Sequence, residues 1–133
     1  MIIVIDGQGG RLGSEIIKRI KLCMEDDIYA FGTNAIATDQ MIKNGAKKGG
    51  TGEYSIKCYS KKADIIIGPI GIVIPGALMG EITPNIAESI SNSSAKKFLI
   101  AFKHDDFYIS SLKDQSLIDS INEIVEKIKE LKC

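Results

Sequence analysis

The sequence predicts an α/β domain of Rossmann type, a three-layer sandwich with a mostly parallel sheet of five to six strands. Three observations carry this reading. Short apolar, β-branched runs recur along the chain, as at residues 2–5 and in Ile65-Ile66-Ile67. A continuous apolar run without alternation is the pattern of a strand covered on both faces. Segments of helical periodicity separate these runs, and a helical crossover between successive strands gives a parallel sheet with helices on both sides. The first run also passes straight into a glycine-rich turn, Asp6-Gly7-Gln8-Gly9-Gly10, the usual entry to a phosphate-binding strand–turn–helix unit.

The elements follow in order. After the turn, Leu12, Ile16, Ile17, Ile20 and Cys23 recur at helical spacing, with Lys18, Arg19 and Lys21 on the opposite face. Residues 28–31 read as a second strand ending in Gly32-Thr33-Asn34, and a helix over 35–43 is stopped by Asn44-Gly45. Residues 46–48 supply a short third strand, and the cluster Gly49-Gly50-Thr51-Gly52 forms a loop before a helix over 53–60. Residues 63–67 are the next strand.

The stretch 70–79 is apolar but broken by Gly71, Pro75 and Gly76, so it is expected to wall a ligand pocket or meet another subunit. Thr83-Pro84 opens a helix to residue 91, with Thr83 as N-cap and Pro84 in the first turn. Residues 97–102 give a strand and 107–109 a further short one. The closing helix carries Leu117, Ile121, Ile124, Ile128 and Leu131 on one face, with Val125 beside them and Ser116 and Asp119 spaced to cap it. No repeat, low-complexity segment or linker interrupts the pattern, and residues 1–133 read as one domain.

Composition narrows the function classes. Lys plus Arg and Asp plus Glu are both 17, so the net charge is zero and the basic footprint of a nucleic-acid binder is missing. The three cysteines are far apart, with no CxxC or Cys/His spacing for zinc, and a disulfide scaffold is not indicated. No segment reads as a signal peptide or a membrane span, so a reducing cytoplasm is the expected compartment.

The glycine turn carries most of the functional signal. Glycines let the backbone turn tightly and let a phosphate approach the amides at a helix N-terminus. In the G-x-G-x-x-G frame Gln8 takes the first glycine slot; Gly7, Gly9 and Gly13 offer a variant with one more intervening residue. The heptapeptide Gly7-Gln8-Gly9-Gly10-Arg11-Leu12-Gly13 resembles the cofactor loop of dihydrodipicolinate reductases. That resemblance implies that Arg11 helps to accept the phosphates of NADPH or NADH. It covers seven residues, and no reductase substrate domain accompanies it.

A second resemblance runs the length of the chain. It is carried by Val4-Ile5-Asp6-Gly7-Gln8-Gly9-Gly10, Gly32-Thr33-Asn34-Ala35, the run from Ala63 to Ile74 and Met79-Gly80-Glu81-Ile82-Thr83-Pro84. These segments are similar to a bacterial family of small Rossmann-like proteins catalogued only as a domain of unknown function.

The expected ligand is a small phosphate-containing molecule of the nucleotide or dinucleotide class. NAD sites want an acid at the end of the second strand to hold the ribose hydroxyls, and Gly32-Thr33-Asn34 stands there instead. Thr33 and Asn34 can hydrogen-bond a 2′-phosphate and Arg11 can neutralise it, which makes NADP(H) the leading cofactor. Gly68 and Pro69, at the end of another strand, are expected at the same sheet edge. Gly50, Thr51 and Gly52 form a candidate second anion loop ahead of a helix. S-adenosylmethionine binding is an alternative, since Asp6 followed by glycines echoes the entry to such sites. A non-catalytic metabolite sensor or assembly module is another, and a homo-oligomer, a dimer in the first instance, is expected.

Catalytic candidates are few: Asp6 at the end of the first strand, Glu81 as a general base, and His104, the single histidine, for proton transfer. Asp6 can equally spend itself on the amides of its own turn. No nucleophile motif is present.

Overall fold

The computed structural model describes residues 1–101 and 107–132. Its elements are β1 (Ile2–Asp6), α1 (Arg11–Cys23), β2 (Ile28–Gly32), α2 (Ala35–Lys43), β3 (Lys48–Thr51), α3 (Glu53–Lys62), β4 (Ile65–Pro69), a 3-10 turn (Ile70–Val73), α4 (Pro84–Ser91), β5 (Lys96–Ile100) and α5 (Leu117–Lys132). The five strands form one sheet in the order β3-β2-β1-β4-β5, and every pairing is parallel. This is the α/β arrangement the sequence predicts.

Both faces of the sheet are covered, because side chains alternate along each strand. Ile2 and Val4 of β1 point to one face with Ile28 and Ala30, where α1, α2 and α5 lay Ile16, Ile17, Ile20, Met41, Ile121 and Ile128 over them. Ile3 and Ile5 point to the other face with Phe31 and Ile66, under Ile56 of α3 and Ile86 and Ile90 of α4. Each isoleucine that leaves water this completely contributes about 1.5–3 kcal/mol, which is why β1, buried at all five positions, needs no alternation in sequence.

The chain order has a consequence for function. From the central β1, strands β2 and β3 step to one side, while β4 and β5 lie on the other. At such a reversal the loops after the two adjacent strands diverge and leave a crevice at the carboxyl edge of the sheet. Here those loops follow β1 and β4.

The sequence reading needs correction at several elements. Gly49 and Gly50 are not loop residues but the middle of edge strand β3. A Cβ on Gly49 would lie 1.9 Å from the carbonyl oxygen of Ala30, so glycine is what allows β3 to approach β2. Lysines flank this edge and the β5 edge (Lys48, Lys96, Lys97), which discourages pairing with other chains. The expected strand at 107–109 is not formed; only Phe107 makes an isolated bridge. The strand expected over 97–102 is β5, and Phe102 lies outside the described residues. Cys23 and Leu131, assigned to buried helix faces, are exposed. Among the described residues no helix is long and apolar enough to cross a membrane.

Candidate functional site

The turn after β1 is built by Asp6 and three glycines. The Gly10 amide donates to the Gly7 carbonyl (2.9 Å), which closes the turn, and Gln8 between them adopts a left-handed backbone at φ 50°. Gly10, at φ 72°, is the N-cap of α1 and has no side chain with which to cap it. Asp6 does so from the end of β1: Oδ2 accepts from the Gly13 amide at 2.7 Å and Oδ1 from the Gly7 amide at 2.8 Å. Burial pushes the Asp6 carboxyl above its ordinary range; the Gly13 and Gly7 amides pull it partly back, and the charge of Glu81 adds to the rise.

The frame with Gln8 in the first glycine slot contains Gly10 and Gly13, both packed too tightly for a side chain, and Gln8 itself has the left-handed backbone that favours glycine. Space is tight at Gly7, Gly10 and Gly13, every third residue. A Cβ on Gly13 would meet Met41 Sδ at 2.5 Å and Asp6 Cβ at 2.9 Å, and one on Gly10 would meet the Ala37 carbonyl oxygen at 2.8 Å. These two glycines let α1 lie close against β1 and α2. Gly9 differs: a Cβ there would meet nothing within 4 Å, and its backbone is not left-handed. Nothing in the packing requires a glycine at position 9; it leaves the backbone bare toward solvent.

Glu81 is the residue that draws the loops together. Its Oε1 accepts from the Gln8 amide (3.0 Å), Thr33 Oγ1 (2.6 Å) and Asn34 Nδ2 (2.8 Å). Asn34 is held from two further sides, because Oδ1 caps α2 at the Ala37 amide (2.9 Å) and Nδ2 also donates to the Gln8 carbonyl (2.9 Å). Partial burial works against the charged form of Glu81. The hydrogen bonds from Thr33, the Gln8 amide and Asn34 outweigh it and hold the carboxyl below its usual range. At neutral pH a carboxylate therefore sits at the tip of β2, the position where the sequence lacks an acid, delivered by the loop ahead of α4.

Between the turn after β1 and the segment after β4 lies a cleft of about 920 Å³. Its floor is the turn, from Asp6 to Leu12. Its wall is apolar, with Ile70, Ile74 and Leu78 from the segment after β4. Met79 and Tyr108 stand at its rim with 90 % and 95 % of their surfaces exposed. The amides of Gly9, Arg11 and Leu12 have no hydrogen-bond acceptor among the described residues, and Arg11 makes no ion pair there.

The sequence-derived candidates therefore divide. Gly7, Gln8, Gly9, Gly10, Arg11, Leu12 and Pro69 line the cleft with Asp6, while Gly13 is buried behind the floor. Thr33 and Asn34 stand beside it, engaged with Glu81. Gly68 lies within β4, where a Cβ would be 2.5 Å from the Ile5 carbonyl oxygen. Gly50, Thr51 and Gly52 are not part of the cleft. Gly50 and Thr51 belong to β3, Thr51 Oγ1 donates to Thr38 Oγ1 (2.8 Å), and Gly52 is the N-cap of α3.

As general bases Asp6 and Glu81 are poorly placed, since Asp6 spends both oxygens on backbone amides and Glu81 is held with a lowered pKa. His104 lies outside the described residues. Missed by the sequence reading were the rim residue Tyr108 and the seat of Glu81. The apolar character of residues 70–79 was the available signal for the wall.

No curated protein and no solved structure matches the chain. A family described as a domain of unknown function (DUF3842) matches over residues 1–132, and the chain belongs to that family.

Proposed function

We propose that this protein binds a small phosphate-bearing ligand of the nucleotide class in the cleft between the turn after β1 and the segment after β4. The observation that carries the reading is that Gly9, Arg11 and Leu12, which line the crevice at the start of α1, have amides without a hydrogen-bond acceptor among the described residues. Amides there carry the positive end of the helix dipole, which favours an anion. Arg11 adds a charge with no competing partner among the described residues, and Gly9 lets a phosphate oxygen approach the backbone. The apolar wall suits a base or another flat apolar group, and about 300–1,000 Å³ is usual for such pockets.

NADP(H) is the leading ligand. Its diphosphate would lie on the turn, and Thr33 and Asn34 are within reach of a 2′-phosphate once Glu81 moves away. NADH, ATP, FMN, coenzyme A and S-adenosylmethionine are the comparison set. In a thermal-shift panel at millimolar concentration at least one of these is expected to raise the melting temperature. Arg11→Ala is then expected to weaken the stabilising ligand about tenfold, the worth of one charge-assisted contact. No shift with any ligand, or an undiminished shift in Arg11→Ala, would contradict the reading. A metabolite sensor without turnover is consistent with the same site, because Asp6 and Glu81 are both engaged in structural hydrogen bonds.

A further inference from the structure

Glu81 sits in a seat built for an oxyanion. Three donors from three places in the sequence, the Gln8 amide, the Thr33 hydroxyl and the Asn34 side-chain amide, converge on one carboxylate oxygen at 3.0, 2.6 and 2.8 Å. The segments that carry the donors are held by bonds other than those to Glu81. Gln8 is fixed by the turn, the Thr33 amide donates to the Asp6 carbonyl (3.1 Å), and Asn34 is pinned as the cap of α2. The Gln8 amide and the Asn34 side chain therefore have supports besides the carboxylate, while the Thr33 hydroxyl is oriented by Glu81.

The carboxylate reaches this seat from a loop of its own. The loop that carries it is closed on itself by the bonds Gly76 N to Ile82 O (2.7 Å), Gly80 N to Gly76 O (3.0 Å) and Glu81 N to Leu78 O (3.1 Å). No backbone hydrogen bond ties residues 76–81 to the turn after β1; the polar link is the Glu81 side chain. Ile82, fully buried, anchors the end of the loop. Displacing the carboxylate breaks the three hydrogen bonds to the Glu81 side chain and none of the backbone bonds that close the loop.

We propose that the Gln8, Thr33 and Asn34 donors form a second anion subsite, for a phosphate group, and that Glu81 is an internal occupant which the phosphate displaces. The proposal rests on the reading that the neighbouring turn takes phosphate, and it adds where a second phosphate of the same ligand goes. Glu81 then sets the threshold for binding: an incoming anion must outcompete a covalently tethered carboxylate.

The test is titration with inorganic phosphate at constant ionic strength, read by melting temperature and calorimetry, on the wild type, Glu81→Ala, Glu81→Ala with Thr33→Val, and Arg11→Ala. Circular dichroism checks that each variant is folded. Glu81→Ala is expected to bind phosphate about tenfold more tightly than the wild type, since a like charge has been removed from the seat. Adding Thr33→Val, which deletes one donor while keeping the side-chain shape, should abolish most of that gain. Equal binding in wild type and Glu81→Ala, or a gain that survives Thr33→Val intact, overturns the subsite. If Arg11→Ala weakens phosphate while Glu81→Ala changes nothing, the turn reading stands and the subsite falls. A gain in Glu81→Ala with no effect of Arg11→Ala supports the subsite and removes the turn. Binding to none of the four proteins overturns both.

Discussion

Gly10→Ala is expected to lower stability by about 3 kcal/mol, from about 1 kcal/mol for a left-handed alanine and a further 1–3 kcal/mol for overpacking. The backbone there is at φ 72°, and the added Cβ would press on the carbonyl oxygen and Cα of Ala37 at 2.8 and 2.9 Å. Those are backbone atoms of α2, so no rotamer change relieves the contact; α1 and α2 must part. Gly9→Ala is the internal control. Its Cβ would enter open space and its backbone is not left-handed, so its effect on stability should stay within about 0.5 kcal/mol. Urea unfolding of the two variants measures both, and equal destabilisation would show that the turn is not packed as described.

The second large effect is expected from Asp6→Asn. Both carboxylate oxygens accept backbone amides in a buried setting, at 2.8 and 2.7 Å. An asparagine offers one oxygen and must set its NH2 group against the other donor, so the loss should be about 2–3 kcal/mol, the cost of an unsatisfied buried pair. The pH dependence carries a sign. A carboxyl raised in the folded state contributes stability that is complete below its unfolded pKa, near 3.8, and is lost as pH rises through the higher folded value. The penalty of Asp6→Asn is therefore larger at pH 4 than at pH 7. Glu81 runs the other way: its lowered pKa adds stability above its unfolded value, near 4.5, which is lost as pH falls through the folded value. Chemical unfolding of Asp6→Asn at the two pH values tests this, and a penalty that shrinks on acidification contradicts it.

How much of this was legible in the sequence depends on the range of the interactions. β1, α1 and α4 were readable because their signals are local: an apolar run, a 3.6-residue period, and the Thr83 cap, which accepts from the Ile86 amide at 3.1 Å. The start of α5 was readable for the same reason, with Ser116 Oγ accepting from the Asp119 amide at 3.1 Å. β3 was not, because glycine has no strand preference and the strand exists through its pairing with β2. The tie between Asp6 and its own turn could be anticipated, but its reach to Gly13 required the fold. Glu81 was least legible. Its partners lie 73, 48 and 47 residues away, and only the folding of three loops onto one sheet edge brings them to a single oxygen.

The central claim, that the amides opening α1 receive a phosphate, is tested most directly by amide chemical shifts. The ¹⁵N-labelled protein would be titrated with NADPH and, separately, with ATP. At least one ligand is expected to move the Gly9, Arg11 and Leu12 amides saturably, and to move them further than the Tyr54 and Ser55 amides in the first turn of α3, outside the cleft. Shifts confined to other residues, or equal movement at both helix starts, would contradict it.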